Sequence, residues 1–215
     1  MITISAFKWV PPMAHGLARD IRVRWALEEA GLPYRTTLLS FGDTPPAGYG
    51  ELQPFGQVPI FEEDGLVLFE TGAIVLHVAQ RSSALLPANP VARARATSWL
   101  FAALDTVELR VDQLCELDLF YRGQEWASVR RPQVEQALAK RLAQLAAWIG
   151  DKDYLEQEFS VGDLMMASVL RALRHTELVA RDRVLSAYLA RCDARPAFQR
   201  ALAAQVAEFN AHRPD

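Results

Sequence analysis

The stretch LQPFGQVPIFEEDGLVLFETGAIVLHVA, residues 52–79, decides the fold. Two short apolar runs flank Asp64-Gly65, a strong short-range signal for an antiparallel hairpin. Beyond them, the apolar spacing from Thr71 to Ala79 is that of a helix. Upstream, ITISAF at residues 2–7 mixes β-branched and aromatic residues and stops before Pro11-Pro12, which predicts a first strand. A helix is expected from Leu17 to Ala30, where Gly31 and Pro33 supply a left-handed cap and a stop. Its residues Ile21, Val23, Trp25, Ala26 and Leu27 form a wide apolar band, so burial on more than one side is expected. YRTTLL, residues 34–39, reads as a second strand, and the Gly- and Pro-rich residues 40–56 as an irregular excursion. The order is β-α-β, an irregular link, then β-β-α, an α/β unit with a four-stranded mixed sheet.

No strand signal survives beyond the connection RSSALLPANP at residues 81–90. Leu100, Leu104, Val107, Val111 and Leu114 step by four and three, and Val134, Leu138, Leu142, Leu145 and Ile149 do much the same. Ser160 is placed to cap a further helix with Asp163 returning the bond, and Phe159 to staple against Leu164. The expected organisation is an α/β domain over 1–81, a linker over 82–90 and an all-α domain over 91–215.

The chain has 215 residues, 51% hydrophobic and 23% charged, enough for a sizeable core. Its formal net charge is −3 and its basic residues are dispersed, which argues against nucleic acid as a partner. Arg171, Arg174, Arg181 and Arg183 cluster, but with Glu177 and Asp182 among them they read as a solvated helix face. Cys115 and Cys192 are the only cysteines, far apart, which fits a reduced compartment. The N-terminus lacks the pattern of a secretory signal and no apolar run has membrane-spanning length, so a cytoplasmic protein without membrane association is expected. His15, His77, His175 and His212 are scattered without metal-ligand spacing, and no metal is expected. Nucleotide-binding glycine motifs and the serine-hydrolase elbow are missing.

Residues 52–79, with their Gly-x-Val-Pro before a hairpin and an acidic and a hydroxyl residue opening a helix, resemble the glutathione site of the cytosolic glutathione transferases. The two-domain order, the linker and the Ser160 to Asp163 pattern also resemble that family, so the likeness extends over nearly the whole chain. It implies a thioredoxin-like N-terminal domain, glutathione as co-substrate, a homodimer, and conjugation of glutathione to a small hydrophobic electrophile. Other outcomes on the same scaffold are a non-catalytic glutathione-binding or ligand-carrying protein, an isomerase, a dehalogenase or a peroxidase.

The residues themselves suit such a ligand, though each has a plainer alternative. A cis Val58-Pro59 bond would leave the Val58 N–H and C=O free to pair with an extended peptide, as the cysteinyl part of glutathione does in the family; alternatively Pro59 simply opens an edge strand. Glu70 and Thr71 stand at a helix start whose N–H groups receive a carboxylate, Thr71 adding its hydroxyl and Glu70 complementing an ammonium; alternatively they are an ordinary N-cap pair. Gln57 takes the position from which relatives reach the glycyl carboxylate, or is an exposed loop glutamine.

A cysteine-like thiol has a pKa near about 8.5, and lowering it by about two units takes roughly 2.7 kcal/mol of thiolate stabilisation. Relatives place a Tyr, Ser or Cys in or just after the first strand, but KWVPPMAHGLARD, residues 8–20, contains none of these. The donors available there rank as His15, which donates in either protonation state, then Arg19, permanently charged, then the Trp9 indole. The helical domain would supply the electrophile pocket, with Trp99, Phe101, Tyr121 and Trp126 as aromatic candidates for its lining or for core packing.

Overall fold

The computed structural model describes residues 1–40, 42 and 46–214. Part of the 40–56 excursion therefore lies outside the described residues. The chain divides into two compact units, Met1–Leu86 with the segment from Arg195 onward, and Pro87–Ala194.

In the first unit, β1 (Ile2–Phe7) leads through a 3-10 turn at Pro12–Ala14 to α1 (Asp20–Ala30), and then to β2 (Tyr34–Leu39) and the single turn α2 (Tyr49–Leu52). The hairpin β3 (Phe61–Glu63) and β4 (Leu66–Leu68) precedes α3 (Thr71–Ala79). The sheet order is β2-β1-β3-β4, with β1 parallel to β2 and the other pairs antiparallel, the mixed four-stranded sheet of a thioredoxin-like domain. Asp64 and Gly65 carry the hairpin turn at φ of 50° and 86°, left-handed values that suit Gly and Asp. Ile4, Trp25, Phe61, Ile74, Val75 and Val78 are fully buried, and each large apolar side chain so removed from water contributes about 1.5–3 kcal/mol.

Two expectations differ from this arrangement. Helix α1 begins at Asp20 rather than Leu17. Gly16, at φ 72°, breaks the path, and the N–H groups of Leu17 and Ala18 turn back to the Ala14 carbonyl at 2.9 and 3.2 Å. The last helix, α9 (Pro196–Ala211), groups with the α/β unit, whereas its sequence position puts it in the helical domain. Its buried residues Ala197, Phe198, Ala201, Gln205 and Phe209 explain this, since α9 packs on α1 with the Phe198 ring 4.7 Å from Trp25.

The second unit runs through α4 (Pro90–Phe101), a π-helical stretch at Ala102–Glu108, α5 (Leu109–Cys115), a second π-helical stretch at Glu116–Phe120, and α6 (Glu125–Ile149). There follow α7 (Val161–Arg171), a 3-10 turn at Ala172–His175 and α8 (Arg183–Asp193). Asn89 caps α4 by accepting from Val91 and Ala92 at 2.9 and 3.1 Å. At α7, Ser160 N–H donates to Asp163 Oδ2 at 2.9 Å and Gly162 N–H to Ser160 Oγ at 3.3 Å, the reciprocal pair of a capping box. Asp163 also accepts from Leu155 N–H at 2.8 Å and from the Tyr188 hydroxyl at 3.1 Å. Phe159 sets its ring edge-on to Tyr154, with centroids 5.5 Å apart. No described helix is long and apolar enough to cross a membrane.

Candidate functional site

The sheet register brings three segments to one edge of the α/β unit. Phe61 pairs with Leu68, so Pro59 and Glu70 stand at the open end of the hairpin. Ile4 pairs with Phe61 and Ser5 N–H donates to Ile60 O at 2.9 Å, so the end of β1 runs toward Val58 and the Lys8–Arg19 connection leaves from the same edge.

The turn before β3 is pinned from beneath. Ser5 Oγ accepts the Ile60 N–H at 2.7 Å and lies 3.2 Å from the Tyr49 hydroxyl, which donates to the Gln57 carbonyl at 2.7 Å. Burial foremost raises the Tyr49 pKa, against a lowering hydrogen bond from Ser5, so at neutral pH the phenol is a donor and not a base. Tyr49, Val58 and Ile60 pack together with Phe7, Leu39 and Val67. Within this support the Val58-Pro59 peptide is cis. Among the described residues, the Val58 N–H and carbonyl make no hydrogen bond within the chain. Gln57 beside them is exposed and Pro59 is buried.

Thr71 opens α3 with 6% exposure, and Arg22 Nη1 donates to its hydroxyl at 3.4 Å. Glu70 is exposed and caps nothing with its side chain; its backbone sits at φ 68°, ψ 119°, an unusual conformation for a residue with a Cβ. The helix N-terminus thus presents N–H groups and a hydroxyl without a capping carboxylate. Arg22, at 5% exposure, escaped the sequence reading. Its signal was present: Arg22 and Arg24 interrupt the wide apolar band of α1, and a cation forced inside must find partners.

The ranked thiolate donors are placed as follows. His15 is half-buried, its Nε2 lies 3.2 Å from the Val10 carbonyl and its ring rests on Phe209 at 5.0 Å. Arg19 is exposed at the position just before α1, and Trp9 is half-buried. Ser5 is engaged under the Pro59 turn. The chain's own thiols do not substitute for a ligand sulfur: Cys192 is buried, and Cys115 is pushed up to about 12, by burial first and then by Asp112 and Asp118.

Behind the connection lies a buried ionic group. Asp20 and Arg24 bond at 2.7 Å, and Arg24 also donates to Glu208 at 2.5 Å, which accepts from the Thr36 hydroxyl at 2.7 Å. Burial raises the Asp20 pKa against the pull of Arg24 and Gln205; it would lower Arg24, but Asp20 and Glu208 overcome that and raise it.

The aromatic candidates for an electrophile pocket belong to the second unit. Trp99 donates to Glu156 at 2.7 Å and packs on Trp148 at 5.3 Å, while Phe101 is 48% exposed. Tyr121 and Trp126 stack tilted at 4.9 Å. Among the described residues no group of three or more His, Cys, Asp or Glu is arranged to hold a metal ion.

Residues 14–80 match the family model "Glutathione S-transferase, N-terminal domain". Glutathione S-transferase 3 of Schizosaccharomyces pombe is 36% identical over 66 residues, which are 30% of this chain and 27% of that protein. The matched stretch thus spans under a third of that relative. Glutathione S-transferase 4 of Zea mays is 29% identical over 199 residues, covering 87% of this chain and 86% of its own. The solved theta class glutathione S-transferase of Xanthomonas axonopodis pv. citri, with glutathione bound, superposes with a TM-score of 0.76 at 28% identity, over 94% of this chain and 96% of that one. Residues 14–80 thus match a glutathione S-transferase N-terminal domain, and the chain as a whole has the fold of the solved glutathione S-transferases it superposes on.

Proposed function

We propose that the protein binds glutathione, stabilises its thiolate and transfers it to a small hydrophobic electrophile, working as a homodimer. The observation that carries this is the free main chain of Val58, next to the cis bond and at the same sheet edge as the uncapped start of α3. Val58 offers the cysteinyl unit one donor and one acceptor, a one-residue strand addition. Thr71, with Arg22 behind its hydroxyl, and the N–H groups of α3 receive the γ-glutamyl carboxylate, while Glu70 answers the ammonium. Gln57 reaches the glycyl carboxylate with a neutral amide.

The sulfur then faces the Lys8–Arg19 connection. His15, Arg19 and Trp9 remain the donors in that order, joined by the backbone N–H groups there. Thiolate attack on the electrophile forms the carbon–sulfur bond, by addition or with departure of a leaving group such as halide, and holding both reactants together lowers the barrier further.

A carrier that binds glutathione without turnover is the second reading, favoured by the missing Ser, Tyr or Cys between residues 8 and 20 and by the engagement of His15 with Val10 and Phe209. Ultraviolet titration of the bound thiol separates the two. Thiolate absorbance near neutral pH is expected for the transferase; binding with an unshifted thiol pKa selects the carrier. His15→Ala and Arg19→Ala, singly, are expected to raise that pKa, and no change in either rejects both donors.

A further inference from the structure

The connection that faces the sulfur is held by the last helix of the chain. Gln205, fully buried, accepts the Gly16 N–H on Oε1 at 3.0 Å. Its Nε2 donates to the Ala18 carbonyl at 3.3 Å and to Asp20 Oδ1 at 2.9 Å. One carboxamide therefore bonds residues 16, 18 and 20, across the segment where the chain leaves its left-handed turn and becomes α1. One turn on in α9, Phe209 lies under the His15 ring, and between them Glu208 takes Arg24. Residues at i, i+3 and i+4 share a helix face, so α9 presents all three to the same stretch.

We propose that Gln205 is a positioning residue, which fixes the backbone from Gly16 to Asp20 and so sets the thiolate donors of that connection without touching either reactant. The inference rests on the glutathione reading above. The chemistry of the amide fits the role: it supplies an acceptor to one backbone group and donors to a carbonyl and a carboxylate, a combination no other uncharged side chain of that length offers. An apolar replacement would leave the buried Gly16 N–H without its acceptor and would take one bond each from the Ala18 carbonyl and Asp20, which keep Ile21 N–H and Arg24. Donor placement matters because a displacement of about 1 Å far from the chemistry can cost 10²-fold in rate.

The test is Gln205→Met, similar in length and apolar, in the full chain. The unsubstituted protein is measured first: an unshifted thiol on bound glutathione there overturns the transferase reading and the positioning role with it. Given a lowered thiol pKa in the unsubstituted protein, the folded Gln205→Met variant is expected to raise it by about one unit, with kcat falling about tenfold, KM for glutathione changing less than threefold, and amide exchange accelerating selectively at residues 16–20. Gln205→Asn, which keeps the amide but shortens its reach, is the second variant if Gln205→Met does not fold, with the same readouts expected. A folded variant whose thiol pKa and kcat match the unsubstituted protein overturns the positioning role alone. So does faster exchange spread over the whole unit without a change in the thiol pKa.

Discussion

The starts of α3 and α7 read alike in the sequence, each pairing a hydroxyl residue with an acidic one ahead of an apolar helix. In the structure they are opposites. At α7, Ser160 and Asp163 turn their side chains onto the backbone, and Asp163 is fully buried with Leu155, Ser160 and Tyr188 around it. At α3, Glu70 points its side chain to solvent, Thr71 receives Arg22, and the helix N–H groups have no side-chain cap. One start is closed by its own residues and serves stability. The other leaves its donors available, as a site for an anionic ligand needs.

The contrast can be broken most severely at α7. Asp163→Ala removes the acceptor of several buried donors at once and is expected to cost about 3 kcal/mol or more, seen as a large drop in the urea midpoint. Gly162→Ala comes next. A Cβ there would lie 2.5 Å from Trp99 Cβ and 3.1 Å from the Ala96 carbonyl, so α4 and α7 must separate, at about 2 kcal/mol, by the same denaturation measurement. At α3 the signs invert. Glu70→Gly relieves a positive φ and is expected to stabilise the fold by about 1 kcal/mol while weakening glutathione binding, checked by denaturation and calorimetry on one sample. Thr71→Val is the mildest change: little effect on the denaturation midpoint and a roughly fivefold higher Kd for glutathione, near 1 kcal/mol. Loss of stability without loss of affinity in Thr71→Val would make both starts structural and erase the distinction.

What the sequence disclosed followed from locality. The bounds of β1, β2 and α3, the Asp64-Gly65 turn and the Gly31 cap are all written in neighbouring residues, whose propensities need no distant partner. The start of α1 was misplaced because residues 17–19 suit a helix, while Gly16 and the bonds to Ala14 and Gln205 decide otherwise. The π-helical stretches escaped a reading built on a 3.6 period. For the site, Gln57 to Pro59 and Glu70-Thr71 were legible as motifs. Arg22, Tyr49 and Gln205 were not, since their partners lie 49, 44 and 189 residues away, and residue type alone does not name them.

The stretch Ala102–Glu108 bears on how this chain tolerates changes in length. A π-turn holds more residues than an α-turn, and stores in the helix what a one-residue insertion adds. Removing one residue there can be absorbed by return to ordinary α-winding, with Leu100 and Val111 still facing inward. The same deletion in the middle of α6 has no such slack: everything after it turns by about 100°, and Leu142, Leu145 and Ile149 leave the interior together. Two helices of one domain thus differ sharply in the insertions and deletions that descent can leave in them.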